Sequence, residues 1–340
     1  MEFAANNARS VLIRGEGIAA SCCARLLSRA GVHVSVQSLN RPKLPAILIG
    51  ETTQKLLTDV FERDDLFAGM PHISRRVVAW GRTPPPIALA HSALVVSEEV
   101  LLNRIRHGLA KSETSDEEPG WTIFASTPLR PGSLEHRFGS RMATASPVKL
   151  KPDSDSESCW IESLESGWLF LLPTGGGLGW LLSVGEPAAV LLSSSRLIEG
   201  QILELGAPRG TFPCHPRIVQ PLAERGWIAC GTAAVGFDPL CGDGTGNAIR
   251  EAILGSAVIG AAFERSDVDQ LVAHYCARVV AGFRRHLALC LDFYTGGHSG
   301  PWWDDQLHEL KRGLEWCSQV SGPITGIRYR LNGFMLEPVD

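Results

Sequence analysis

The stretch "VLIRGEGIAASCCARLLSRAGVHVSVQS", residues 11 to 38, decides the fold of this chain. Val11 to Ile13 is a short apolar strand that runs into Gly15-Glu16-Gly17. From Ala19 to Arg29, the positions Ala20, Ala24, Leu27 and Ala30 recur at helical spacing. Gly31 stops the helix, and "VHVSVQ" alternates as a second strand. Strand, glycine turn, helix and strand in this order predict a βαβ unit of the dinucleotide-binding kind. Gly15 permits the tight turn, and Gly17 lets backbone approach a pyrophosphate at the helix N-terminus. Ala20 is small enough for the helix to pack closely on the sheet. The unit ends on Gln37-Ser38, where an acidic residue usually holds the ribose.

Working outward, the polar stretch "KSETSDEEPG" (Lys111 to Gly120) reads as an exposed loop, and the tract Pro147 to Ser158 as a second polar joint. "SEEVLLNRIRHGLA", starting at Ser97, has a capped helix start. From Cys159 to Leu192 the pattern changes to alternating apolar strands separated by Gly and Ser, which predicts an antiparallel sheet. "GWLFLLPTGGGLGWLLSVG" (Gly167 to Gly185) carries no charge, but Pro173 and the glycines at 175–177 divide it into two strands and argue against a membrane span. A second glycine-rich motif, "GWIACGTAAVGFDPLCGDGTGNAIREAI" (Gly226 to Ile253), leads from a buried strand through a loop into a long helix, Asn247 to Phe263. Such loops turn backbone N–H groups toward an anionic or carbonyl-rich ligand, and the helix dipole adds positive potential. The chain from Val268 to Cys317 reads as mostly helical.

With 340 residues, 44% apolar and 20% charged, the chain is long enough for about two domains of soluble type. A net charge of −4 gives no sign of a nucleic-acid partner. The nine cysteines form no C-x-x-C and no zinc spacing, so they read as reduced packing thiols without a metal role, in a cytoplasmic protein. Cys241 in particular has no second cysteine near it in sequence. His91 and His215 read as surface or loop histidines.

The two glycine motifs together resemble those of flavoproteins with the p-hydroxybenzoate-hydroxylase fold, in the branch of flavin-dependent halogenases and monooxygenases. The resemblance rests on Gly231-Thr232-Ala233-Ala234, Asp238-Pro239-Leu240 and Gly242-Asp243-Gly244, on "IGETTQKLL" (Ile49 to Leu57) and on "GWLFLLP" (Gly167 to Pro173). Within that branch "HPRIVQPLAERGWIACGTAAVGFDPL" and "GETTQKLL" are similar to flavoproteins that hydroxylate tryptophan during tryptophylquinone maturation.

The resemblance implies an α/β fold: a three-layer, Rossmann-like FAD domain with an inserted antiparallel substrate sheet and a helical C-terminal region. Its first part would span residues 1–80, the substrate sheet with interleaved segments 81–209, the second FAD part 210–265 and the helical region 266–340. FAD would lie on Gly15, Gly17, Ala20, Ser38, Thr232, Pro239, Gly242, Gly244 and Gly246. Glu51, which would otherwise cap its helix, and Asp238, which would otherwise cap the following turn, would face the flavin as catalytic residues. Trp168, Phe170 and Trp180 would line a pocket for an aromatic small molecule or a tryptophan-containing polypeptide, with a separate reductase as electron donor. The acidic loop Glu113 to Glu118 would border an open cleft. The implied activity is hydroxylation through a flavin hydroperoxide.

Two departures stand out: Ser38 and Thr232 occupy places where the family has acidic residues, so weak flavin binding is expected. The alternatives are a halogenase or reductase of the same fold, or a non-catalytic protein that has lost flavin. No lysine stands between Lys55 and Lys111, where the halogenases place a catalytic one.

Overall fold

The strand Ser10–Arg14 buries Val11 and Ile13 and pairs in parallel with His33–Gln37 on one side and Trp121–Phe124 on the other. Trp227–Ala229 adds a further parallel strand, and Ala223–Glu224 closes that edge antiparallel. The computed structural model describes residues 9–82, 85–107, 118–265, 267–320 and 329–339. Residues 113–117 of the acidic loop fall outside the described residues.

Among the described residues seven α-helices are present: α1 (Ile18–Arg29), α2 (Glu51–Phe61), α3 (Glu98–Arg106), α4 (Ala188–Ser194), α5 (Gly244–Ala262), α6 (Val268–Thr295) and α7 (Pro301–Val320). α1 completes the βαβ unit and packs on α5, whose apolar side chains are nearly all buried. Ser97 caps α3 as its sequence requires, its hydroxyl accepting from the Val100 N–H at 3.2 Å. The long C-terminal helical region is confirmed as α6 and α7 packed on each other.

A second, larger sheet carries Gly167–Gly175 and Leu178–Gly185 as an antiparallel hairpin, flanked by Ser158–Leu164 and Met142–Leu150. The hairpin turns at Gly176-Gly177, both at positive φ (63° and 72°), a conformation that only glycine adopts without strain. Alternation divides its side chains. Leu169, Leu171 and Leu181 pack with α4, while Phe170, Leu172, Trp180 and Leu182 face the nucleotide-binding half. This sheet also takes in Ile47–Gly50, His72–Ala79 and Ile87–Val96, so strands from before residue 80 belong to it. Among the described residues no helix is long and apolar enough to cross a membrane.

Candidate active site

Gly15 follows the first strand at φ +142°, and its N–H is held by the Gln37 carbonyl at 2.9 Å. A Cβ there would stand 2.8 Å from Ser126 Oγ and 3.1 Å from the Ser126 backbone nitrogen, so only glycine passes. Gly17 caps α1 with ordinary φ (−76°) and no side-chain cap, which leaves the positive end of the helix open. The atoms nearest a Cβ on Gly17 belong to the Arg41 guanidinium, 2.8 Å away. Arg41 is paired with the buried Glu98 carboxylate, which also accepts the Leu44 N–H at 2.9 Å. Arg106, on α3, donates to the Glu16 carbonyl and approaches Ser21 Oγ at 3.4 Å. A glycine cradle with two guanidiniums beside a helix N-terminus fits a diphosphate.

Ser38 Oγ, at the end of the second strand, donates to the Glu16 carboxylate at 2.5 Å. Lys43 and the Arg41 N–H bind the same carboxylate. Burial pushes Glu16 up, but the bonds from Lys43 and Ser38 outweigh it and hold the carboxyl at about 2. A carboxylate thus stands beside the end of the second strand, contributed by the turn one residue after Gly15. Ala20 is buried under the cradle, and Gly15, Ala20 and Ser38 frame it without lining the cavity described below.

At the second motif Gly231 has φ +57°, and a Cβ on it would meet Ala19 Cβ at 2.8 Å. Its N–H is held by the buried Glu251 of α5 at 2.8 Å. Burial raises the Glu251 carboxyl to about 8, only partly offset by that bond. Thr232 is exposed, with its hydroxyl 3.4 Å from the Ala125 carbonyl and its own carbonyl accepting from Arg217 at 2.6 Å.

Asp238 does not face the cavity with its carboxylate. Oδ1 caps the turn Pro239–Cys241 through the Leu240 N–H (2.9 Å), and Oδ2 lies 3.1 Å from Arg141 Nη2. Oδ2 also accepts from Tyr294 Oη at 2.9 Å, whose own oxygen accepts the Trp168 indole N–H at 3.1 Å. The Arg141 and Asp238 side chains are 1% and 0% exposed, so the pair has no solvent to share. Burial raises the Tyr294 phenol above its ordinary value and keeps it a donor. Arg141 Nη1 also donates to Gln306 Oε1 of α7 at 2.7 Å. The catalytic expectation for Asp238 is corrected: it locks the loop to the sheet and to α6. Trp168 is corrected with it, since α6 covers its end of the strand and it is fully buried in the core. Glu51 is exposed on the first turn of α2, outside the cavity, where it complements the helix dipole and does not face a ligand.

A cavity of about 410 Å³ runs from the α1 cradle to the large sheet. Of the residues singled out in the sequence, Gly17, Thr232, Pro239, Gly242 and Gly244 line it at the nucleotide end, with Asp238. Phe170 and Trp180 line it at the sheet end beside Leu182 and Phe212. Gly246 does not; it is buried because Asp243 and Thr53 pack where its side chain would be. Sequence reasoning missed Arg41, Glu98, Arg217 and His215, which also line the cavity. His215 is buried and not a surface residue; its Nδ1 lies 3.3 Å from the Arg141 carbonyl, and burial lowers its pKa. Among the described residues its Nε2 has no hydrogen-bond partner.

No family model matches the chain, and no curated protein matches it by sequence. Solved structures do. The flavin-dependent halogenase CmlS superposes with a TM-score of 0.78 at 16% identity, over 96% of this chain and 83% of that one. QhpG, a peptidyl tryptophan dihydroxylase essential for tryptophylquinone cofactor biogenesis, gives 0.69 at 16% identity, over 97% and 86%. A variant of HpxO from Klebsiella pneumoniae complexed with FAD gives 0.62 at 16% identity, over 90% and 94%. The chain therefore has the fold of flavin-dependent halogenases and hydroxylases.

Proposed function

We propose that the chain is an FAD-dependent oxidoreductase of the monooxygenase type, acting on an aromatic group. The observation that carries this reading is the continuity of one cavity, from the glycine cradle at α1 to an apolar wall of Phe170, Trp180, Leu182 and Phe212. Such a shape suits a nucleotide at one end and a flat apolar group at the other.

Backbone N–H groups at Gly17 and Ile18, with Arg41 and Arg106, would hold the diphosphate. Glu16, already oriented by Ser38, would accept from the adenosine ribose hydroxyls. The loop Pro239 to Gly244 and the positive end of α5 would sit beside the ring system. Reduced FAD, when bound, activates dioxygen and supplies the oxygen atom to be transferred. The chain's own part is position and exclusion of water. Phe170 and Trp180 offer aromatic surface for stacking. His215, whose Nδ1 lies 3.3 Å from the Arg141 carbonyl and whose pKa burial lowers, lines the same cavity.

A peptidyl tryptophan is the substrate of QhpG, and the same aromatic wall suits such a side chain here. A separate reductase would supply the electrons. The experiment is to reduce the FAD-loaded chain in air with free indole compounds or a tryptophan-containing polypeptide and to follow oxygen incorporation by mass. Incorporation that falls in His215→Ala, with FAD affinity retained, is the expected result. Halogen incorporation in the presence of halide would instead favour the halogenase reading. Failure of the folded chain to take up FAD would leave a flavin-less binding protein.

A further inference from the structure

Cys241 and Cys290 are separated by 49 positions in sequence, yet their sulfurs lie 3.5 Å apart. Their closeness overturns the expectation that Cys241 has no second cysteine nearby. Cys241 ends the turn Pro239–Cys241 and sits between two cavity-lining residues, Pro239 and Gly242. Cys290 meets it from α6 and is fully buried, whereas Cys241 is partly exposed. His286, one helical turn before, places Nε2 3.4 Å from Cys290 Sγ. We propose that Cys241 and Cys290 form a peroxide-oxidisable dithiol that closes to a disulfide beside the cavity.

Two thiols and an imidazole also compose a set of soft metal ligands, and their donor atoms all lie within 4.8 Å of one another. His286 argues against that occupant. Its Nε2 already accepts the Asp238 N–H at 2.9 Å, and an imidazole nitrogen has a single lone pair to give. The remaining pair has the asymmetry of an attacking and a resolving thiol. The hydrogen bond from Cys290 pulls the Cys241 thiol below its ordinary value against the effect of burial. Burial pushes Cys290 up, so it stays protonated. Cys276, the other partly exposed cysteine among the described residues, is raised to about 11 by burial and serves as an internal control.

The chemistry balances with hydrogen peroxide as oxidant. The Cys241 thiolate attacks one peroxide oxygen; an S–O bond forms, the O–O bond breaks, and the departing hydroxide becomes water by taking up the proton that Cys241 released on ionising. Cys290 sulfur then attacks the sulfenyl sulfur. The S–S bond forms, the S–O bond breaks, and the leaving hydroxide departs as water with the Cys290 proton. The pair loses two electrons and peroxide gains them. The sulfurs close from 3.5 Å to about 2 Å, stapling the Pro239–Gly242 turn to α6. Peroxide would arise at this site when reduced flavin meets dioxygen with no acceptor; that source alone rests on the proposed function.

The test treats the full-length, reduced chain with a stoichiometric amount of added hydrogen peroxide and follows intact mass and peptide maps. The expected result is loss of two hydrogens and a Cys241–Cys290 cross-link that dithiothreitol reverses. Cys241 should oxidise at least about tenfold faster than Cys276. In Cys290→Ser the intermediate has no resolving thiol, and Cys241 should give a dimedone adduct; if that variant fails to fold, the wild-type map decides. The proposal is overturned if Cys241 stays reduced while other thiols react, or if it pairs with a different cysteine. One zinc ion retained per chain through dialysis, protecting both thiols, would overturn it equally. Since the peroxide is added, none of these failures bears on flavin binding.

Discussion

Valine at Gly17 separates backbone strain from ligand exclusion. Gly17 has φ −76°, which any residue adopts, and its Cβ would meet only the tip of the flexible Arg41 side chain. Gly17→Val should therefore fold without backbone strain, displacing the Arg41 guanidinium and filling the place of a diphosphate. A titration followed by flavin fluorescence should show an FAD dissociation constant at least about tenfold higher. Unchanged affinity would move the cradle elsewhere. Glu16 carries the second residue-level claim. Glu16→Gln keeps the shape and removes the charge, exchanging charge-assisted hydrogen bonds for neutral ones. The loss of roughly 1–3 kcal/mol should weaken FAD by about one to two decades. Ser38→Glu, which the sequence alone suggests as a tightening change, should not tighten binding, because its carboxylate would crowd that of Glu16, 2.5 Å from the native hydroxyl. If Ser38→Glu tightens and Glu16→Gln does nothing, the acid has been misassigned.

At the scale of elements, two buried carboxylates, Asp238 and Glu251, tie the glycine loop to the helices. Asp238 binds the loop to α6 through Tyr294 and to the sheet through Arg141. Asp238→Asn leaves the Arg141 guanidinium buried without its counter-charge, at a cost of about 3–5 kcal/mol. A denaturant midpoint close to wild type would show that the pair contributes little. Glu251 joins α5 to the Gly231 N–H and is held protonated, its folded value of about 8 lying above the ordinary 4.5. Its contribution is complete below pH 4.5 and is lost as pH rises through about 8, because the folded state then has to bury the charge. Glu251→Gln keeps an oxygen for Gly231 and removes the titration. It should flatten the fall in melting temperature between about pH 4.5 and pH 8, by an amount on the order of a few kcal/mol in stability. Parallel pH profiles for the variant and wild type would place the titrating group elsewhere.

Over the whole molecule, the legible parts were those written in local patterns. The βαβ unit, the hairpin turning at Gly176-Gly177 and the long C-terminal helices follow from apolar spacing and glycine placement within a few residues. Groups that meet only after folding were hidden. Asp238 and Tyr294 are 56 positions apart, Trp168 and Tyr294 are 126 apart, and no periodicity couples them. Alternation assigned Trp168 to the same face as Phe170 but could not show that α6 covers that end of the strand. Glu98 read only as part of the capped start of α3 and Arg41 belonged to no motif, yet the two pair beside the cradle. The central claim joins these scales: one folded chain binds FAD in the α1 cradle so that its ring reaches the aromatic wall. Titration of FAD into the purified, folded chain, read by flavin fluorescence and the visible spectrum, tests this most directly. The expected result is saturable one-to-one binding, with a spectral shift that Phe170→Ala or Trp180→Ala alters. No saturable binding to a chain shown to be folded would contradict it.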